Sequence, residues 1–341
     1  MLALVAHAAK DLRIEERPVA APGEGEISVR IAFGGVCGSD LHYYNHGGFG
    51  TVRIKEPMIL GHEIAGVVEA VGKGCERIKV GDRVAVNPSV PCNRCRYCLE
   101  GRQNQCLDMR FYGSAMRFPH VQGAFREILV AEERQIFTIP DHVSLGQAAF
   151  AEPLAVCLHA VTRASSVAGK RVLVTGVGPI GALTILAARC FGAREIVATD
   201  VAALPLKTAG IVGADRVIDA TGDGLAEYGV NKGTFDVLLE CSGNARALAA
   251  GLDVVRPGGT IVQLGLGGDV GLAINTIVTK ELELRGSFRF HEEFGWAVDY
   301  ISRGLIDVRP LLTETIPLVE AQRAFDLASD KSQAMKVQLS F

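Results

Sequence analysis

Residues 171–190 read RVLVTGVGPIGALTILAARC, and the reading of this stretch decides the fold of half the chain. RVLVTG (171–176) is rich in β-branched and apolar residues, as a buried strand is. From Pro179 to Ala193 the text is that of an apolar helix ending at Gly192. Between them lies Gly176-Val177-Gly178-Pro179-Ile180-Gly181, the spacing G-x-G-x-x-G. Such a hexapeptide is weak evidence alone, because glycine-rich turns are common. Its place between a strand and a helix gives it chemistry. The first glycine makes the tight turn, the second lets backbone approach a pyrophosphate, and the third lets the helix pack on the strand. The helix start offers free N–H groups and the positive end of its dipole to the phosphates.

The same grammar continues outward. EIVATD (195–200) is a strand, followed by a helix near 203–213, RVID, FDVLLEC (235–241) and a helix near 244–255. A turn at Pro257-Gly258-Gly259 precedes TIVQLGL (260–266), and ELELRGSF (281–288) adds a last strand. Alternating strands and helices predict a doubly wound α/β domain with a parallel sheet. Asp200 ends the second strand, 19 residues past Gly181. A carboxylate there accepts hydrogen bonds from both adenosine ribose hydroxyls and repels a 2′-phosphate. No Arg follows in Val201-Ala202-Ala203, so NAD is predicted over NADP.

Before residue 150 the text is strand-like and broken by turns, as in EISVRIAFGGVC, IAGVVEAVG, DRVAV and REILVA, which predicts a small β-barrel-like domain. AEPLAVCLHAVTRA (151–164) has helical spacing, and the closing MKVQLSF needs a sheet partner that the first lobe can supply. The expected division is a catalytic domain over 1–150, completed by 291–341, and a nucleotide domain over 151–290. A chain of 341 residues exceeds what one core usually supports, in keeping with two domains. A net charge of −3 gives no general attraction to nucleic acid or anionic lipid. Arg94, Arg96, Arg102, Arg110 and Arg117 form the one basic concentration, a solvated face or a small-anion site. The N-terminus has no basic leader, and the longest uncharged run, Val172 to Ala188, is broken by glycines. A soluble cytoplasmic protein is expected, with no membrane and no nucleic-acid partner.

Cys92, Cys95, Cys98 and Cys106 fall within fifteen residues, PCNRCRYCLEGRQNQC, at the spacing C-x2-C-x2-C-x7-C. Four thiolates on one loop can close a tetrahedron around Zn2+ and leave no open position, so a structural zinc is predicted. The alternative, two disulfides, needs an oxidising compartment, for which the sequence has no sign. Cys75, Cys157, Cys190 and Cys241 read as ordinary thiols.

Chemistry must then lie elsewhere. Cys37 stands in GVCGSDLHYY, His62 and Glu63 in GHE, and Glu152 in AEPLAV. Singly, they read as a core thiol, a structural histidine and an acid near a helix N-terminus. Together and in order, CGSDLHYY, GHE, the four-cysteine loop, AEPLAV and GVGPIG resemble the zinc-dependent medium-chain alcohol and polyol dehydrogenases. The resemblance spans essentially the whole chain. Within the family the sequence is similar to the sorbitol and xylitol dehydrogenase branch. NPSVPCNRCRYC, NQCLDMRFYGSAMRFPH, GSFRF and KSQAMKVQLSF are similar to members acting on sugar acids.

This resemblance implies a GroES-like β-barrel catalytic domain beside a Rossmann domain, with two Zn2+ per chain and NAD. It implies that Cys37 and His62 are ligands of a catalytic zinc and that Glu63 and Glu152 complete or adjust its sphere. Which glutamate ligates directly is left open. Ser39 and His42 fall at proton-relay positions, although His42 also reads as a surface histidine. Tyr43, Arg289 and Phe290 fall where relatives line the substrate pocket. The implied reaction is oxidation of a secondary alcohol, and a sugar-acid substrate would need a cation for its carboxylate. Arg289, Arg110 and Arg117 are the candidates. A homodimer or homotetramer built on the edge strand near 281–288 is also implied. A neutral polyol, a threonine dehydrogenase, a zinc-free quinone reductase or lens-type relative, and a zinc-ribbon interaction module remain the competing readings.

Overall fold

In a computed structural model that describes all of residues 1–341, two large sheets divide the chain. The first holds seven strands. Six run in the order Ile136–Thr138, Arg83–Val86, Glu63–Val71, Glu26–Gly35, Lys336–Ser340 and Leu312–Pro317, and Ile128–Glu132 also pairs with Glu26–Gly35. The last two come from the chain's end, and Lys336–Ser340 pairs directly with Glu26–Gly35. Gln338 pairs with Gly35, which itself pairs with Glu63. Three distant segments therefore meet at one end of this sheet.

The second sheet has six strands, all parallel: Arg216–Asp219, Glu195–Asp200, Arg171–Thr175, Phe235–Glu240, Val255–Gln263 and Glu283–Gly286. Strand order reverses direction between Arg171–Thr175 and Phe235–Glu240. That reversal opens a crevice at the strands' carboxyl ends, where ligands of such sheets bind. One strand differs from the sequence reading. Val255–Gln263 begins before Pro257-Gly258-Gly259 and carries those residues through a register shift between Phe235 and Val237 of its neighbour. Gly258 adopts φ +71°, which lets the irregularity form inside the strand instead of ending it.

The helix Ala151–Arg163 joins the lobes. It packs against the helices Pro179–Cys190 and Glu293–Ser302, within a core that includes Leu154, Leu158 and Phe294. His159 Nδ1 and Glu293 Oε1 lie 2.8 Å apart across this packing. No helix is long and apolar enough to cross a membrane.

Candidate metal centres and nucleotide crevice

Cys37 follows the strand Glu26–Gly35, and His62 immediately precedes Glu63–Val71. Because these strands are antiparallel neighbours, the end of one meets the start of the other. A sulfur of Cys37, a ring nitrogen of His62 and a carboxylate oxygen of Glu63 consequently lie within 4.8 Å of one another. Asp40 ties the two loops together. Its Oδ2 accepts from the N–H of Cys37 and its Oδ1 from the N–H of Gly61, each at 3.1 Å. Oδ1 also stands 3.9 Å from His62 Nδ1, longer than a hydrogen bond but on the side from which a carboxylate orients a metal-binding imidazole.

Glu152, in the first turn of its helix, lies outside the mutually close trio, yet its carboxyl senses the charges of His62, Glu63 and Cys37. Burial, and then the negative Glu63, push the Cys37 thiol up to about 12. Burial likewise raises the Glu152 carboxyl to about 8. Acidic groups held neutral by burial and mutual repulsion are what a divalent cation would ionise. Ligands of a tetrahedral zinc lie ~3.3–3.8 Å apart, which this cluster can reach with small closure. The donor set of one thiol, one imidazole and one carboxylate fits Zn2+ with a position left for substrate.

The four-cysteine loop forms the second cluster, its sulfurs also within 4.8 Å of one another. Cys106 Sγ accepts from the N–H groups of Cys92 (3.2 Å) and Asp108 (3.3 Å). Backbone N–H groups of Leu107 and Cys98 bring the Cys95 thiol down to about 6, whereas burial lifts Cys98 to about 12. All nine cysteines are free thiols.

In the crevice Gly176 adopts φ +76°, and a Cβ there would stand 2.5 Å from the Ser242 side chain. A Cβ on Gly181 would meet the Gly176 carbonyl oxygen at 2.1 Å. At Gly178 it would meet nothing within 4 Å. The outer glycines are required by the protein's own packing, while the middle one opens space for a ligand, as a pyrophosphate cradle should. Asp200 accepts from the N–H groups of Val177 (2.8 Å), Val201 (2.8 Å) and Ala202 (3.0 Å). A carboxylate has about four acceptor sites, so capacity remains for a ribose hydroxyl. Fully buried Glu240, the last residue of its strand, accepts from the N–H groups of Ser242 (2.9 Å) and Gly243 (3.0 Å) and from the side chains of Thr175 and Gln263. It clamps the turns that wall the crevice.

A cavity of about 280 Å³ is lined by Cys106 and Leu107 of the four-cysteine loop together with Phe111, Ser114, Met116, Arg117 and Arg289, and the donors of the first cluster are not among its walls. The Phe111 ring links the two, 5.3 Å from the His62 ring and 4.5 Å from the Arg289 guanidinium. Arg289 takes φ +54°, has no acidic partner, and has its pKa lowered by burial. Arg117 pairs with Asp108. Tyr43 is buried, and its hydroxyl accepts from the N–H of Ala115 at 3.0 Å, fixing the loop that carries Ser114. Ser39 and His42 share the helix Gly38–His46, with His42 exposed and its pKa lowered by burial and by His46. Arg110 is exposed and Phe290 is packed in the core against Phe294, so neither joins the lining.

Three residues of these sites escape the sequence reading: Asp40, Glu240 and Lys336. Asp40 carried a usable signal, an acid at the third helical position after Cys37. Glu240 had only its place at a strand end. Lys336 had none, standing 273 residues along the chain from Glu63, the group it touches.

Residues 23–141 match the family described as alcohol dehydrogenase GroES-like domain, and 179–303 match zinc-binding dehydrogenase. The chain is 43% identical over 333 residues to the L-idonate 5-dehydrogenase (NAD(P)(+)) of Escherichia coli strain K12, covering 97% of this chain and 96% of that protein. It is 36% identical to the sorbitol dehydrogenase of Bacillus subtilis strain 168, over 99% of this chain and 96% of that one. The crystal structure of E. coli L-idonate 5-dehydrogenase superposes with a TM-score of 0.97 at 42% identity, covering 100% of this chain and 98% of that one. Two donor clusters suited to zinc, a nucleotide crevice and full-length likeness agree: the chain belongs to the zinc-dependent medium-chain dehydrogenases, in their polyol dehydrogenase branch.

Proposed function

We propose that this chain oxidises the C5 hydroxyl of L-idonate to give 5-keto-D-gluconate, with NAD as acceptor. The observation that carries the substrate is Arg289, a half-buried guanidinium without an acidic partner, in a cavity that the Phe111 ring connects to His62 of the first metal cluster. A planar fork without an acid of its own suits a sugar-acid carboxylate. Arg117, held by Asp108, is the weaker candidate, and Arg110 weaker still.

Cys37, His62 and Glu63 would hold the catalytic zinc, with Glu152 behind them, and Cys92, Cys95, Cys98 and Cys106 the structural one. Bound zinc supplies a Lewis acid that makes a secondary hydroxyl more acidic, and NAD supplies the hydride acceptor. Ser39 lies one turn from His42 on the same helix, so the hydroxyl proton can pass from one to the other and out to solvent. The lowered pKa of His42 keeps it neutral and able to accept. Phe111 and the loop anchored by Tyr43 screen the reacting centre from water. Gly178 and the first turn of the helix Pro179–Cys190 receive the pyrophosphate, and Asp200 selects NAD through the ribose. We divide the chain into a catalytic domain over 1–150 with 291–341 and a nucleotide domain over 151–290. We place the protein in the cytoplasm, where its free thiols are stable, as a homodimer or homotetramer paired along Glu283–Gly286.

The test offers L-idonate, D-gluconate, D-sorbitol and xylitol at equal concentration to the zinc-replete protein, following nicotinamide reduction. A kcat/KM for L-idonate roughly tenfold or more above the polyols supports the reading, since differences of this size reflect specific pocket contacts. Faster oxidation of sorbitol or xylitol overturns the substrate while leaving family and cofactors in place. That second reading is favoured by one observation, the likeness to the B. subtilis sorbitol dehydrogenase.

A further inference from the structure

The last strand brings to the metal centre a cation whose burial sheet formation does not explain. Lys336 is 4% exposed; its Nζ donates to Glu63 Oε1 at 2.6 Å and lies 2.5 Å from Oε2, which has no hydrogen-bond partner of its own. The same ammonium donates to the Val36 carbonyl at 3.0 Å. Gly35 makes room for the pair: a Cβ there would stand 2.1 Å from Glu63 Oε2 and 3.1 Å from Lys336 Cε. Burying an ammonium is costly, and an apolar residue would serve the sheet as well. With Cys37, Glu63 and Glu152 ionised, three negative charges would face a divalent ion. Lys336 brings that cluster to neutrality.

We propose that Lys336 is a positioning residue of the catalytic metal centre, holding the Glu63 carboxylate through Oε1 and so limiting how much of its charge reaches the zinc. Freed from Lys336, Glu63 would bind the ion more fully. It would then weaken the metal's Lewis acidity and crowd the position the substrate hydroxyl requires. The inference rests on the reading of Cys37, His62 and Glu63 as ligands of the catalytic zinc.

The experiment loads wild type, Lys336→Met, Lys336→Arg, Glu63→Gln and the double variant Glu63→Gln/Lys336→Met with Co2+. It records the visible spectrum and the rate of metal loss to a chelator. Lys336→Met should show weaker, shifted bands of higher coordination and release metal roughly tenfold more slowly, the scale typical of partners behind a metal ligand. Its kcat should fall about 10–100-fold, with substrate KM changed far less. Lys336→Arg, which keeps the charge, should restore the wild-type spectrum. The double variant should differ from Glu63→Gln far less than Lys336→Met differs from wild type, because the larger part of what Lys336 does to the metal passes through the Glu63 carboxylate. A wild-type spectrum and release rate in Lys336→Met overturn the proposal, as does a double variant that departs from Glu63→Gln as far as Lys336→Met departs from wild type. If Lys336→Met fails to fold, Lys336→Gln takes its place in both comparisons, since its amide removes the charge and can still donate to the buried carboxylate. Failure of the underlying ligand reading looks different: wild type would bind fewer than two metal ions per chain, or Cys37→Ser would lose none.

Discussion

The two donor clusters are built in opposite ways. The four-cysteine site closes on a single segment, 92–106, whose turns bring its own sulfurs together. The other draws Cys37, His62 and Glu63 from two neighbouring strands, Glu152 from a helix that joins the lobes, and Lys336 from the last strand. A self-contained clip needs only its own folded turns, and its metal fastens one loop of the lobe. A centre assembled from the whole sheet has donors that must wait for the fold. Burial and unfavourable acid neighbours there hold ionisable groups ready for an ion.

Single substitutions separate the two. Cys37→Ser should lose one metal per chain and cut activity on the order of 10³-fold, since a Lewis acid worth several kcal/mol has gone. Its melting temperature should fall as well, by the part that an ion bound only to the folded state supplies. Cys95→Ser should also lose one metal, but its main effect should be on stability, about 3 kcal/mol, as for any ligand that binds only the folded state. Metal analysis with calorimetry checks both. If Cys95→Ser left stability unchanged while Cys37→Ser unfolded the chain, the division of labour would be reversed.

The arginines repeat the contrast. Arg117 is tied to Asp108, nine residues away beside the cysteine loop, whereas Arg289 enters the cavity from the end of the nucleotide lobe. Arg289→Met should raise the KM for an aldonate about 10–100-fold, the value of a hydrogen-bonded charge, and barely alter that for sorbitol. Arg117→Ala should change either by less than about threefold, as exposed pairs contribute little. Equal losses on both substrates for Arg289→Met would make it a general wall of the pocket.

Stability against pH gives a finer probe of the assembled centre. The Glu152 carboxyl rises from its ordinary 4.5 to about 8 on folding without metal, through burial first. The folded state then keeps a proton that the unfolded chain has lost. Stability should accordingly fall as pH rises from about 4.5 toward 8, and be intact below that window. Zinc, by accepting the ionised carboxylate, should remove the slope, so the gap in melting temperature between loaded and metal-free protein widens from pH 6 to pH 8. Glu152→Gln should flatten the metal-free curve. The cysteine loop, whose thiols are shifted both up and down, should show no such one-sided dependence.

How much was legible in the sequence follows the same divide. The cysteine loop and the Gly176–Gly181 turn carry their geometry within a few residues, so spacing alone exposes them. Strand–helix alternation shows the parallel sheet for a similar reason: each element declares itself before it pairs. The pairing of Lys336 with Glu63 depends on Gln338 lying opposite Gly35, and no local pattern holds a register across some 300 residues. Cys37, His62 and Glu152 became readable only through likeness to a family in which such distant residues recur together. Phe290 shows the limit of that transfer, since in this chain it is 1% exposed and packs on Phe294.

The nucleotide crevice lies between the extremes, part local turn and part long-range clamp, and Glu240 measures the second part. Its carboxylate joins Ser242 and Gly243 to Gln263 on the next strand, beside Thr175 at the point where strand order reverses. Gly243 packs so closely on the following turn that a Cβ there would stand 2.8 Å from the Leu266 backbone. Glu240→Gln keeps the shape but replaces one acceptor oxygen with a donor facing other donors. A mismatch of about 1 kcal/mol should weaken NAD binding roughly fivefold by nucleotide titration, while metal content stays at wild type. A crevice formed by the glycine turn alone would bind NAD equally well in both proteins, because Gly176, Gly178 and Gly181 are untouched. A measurable loss would show that the turn supplies the cradle and the far strands hold its wall in place.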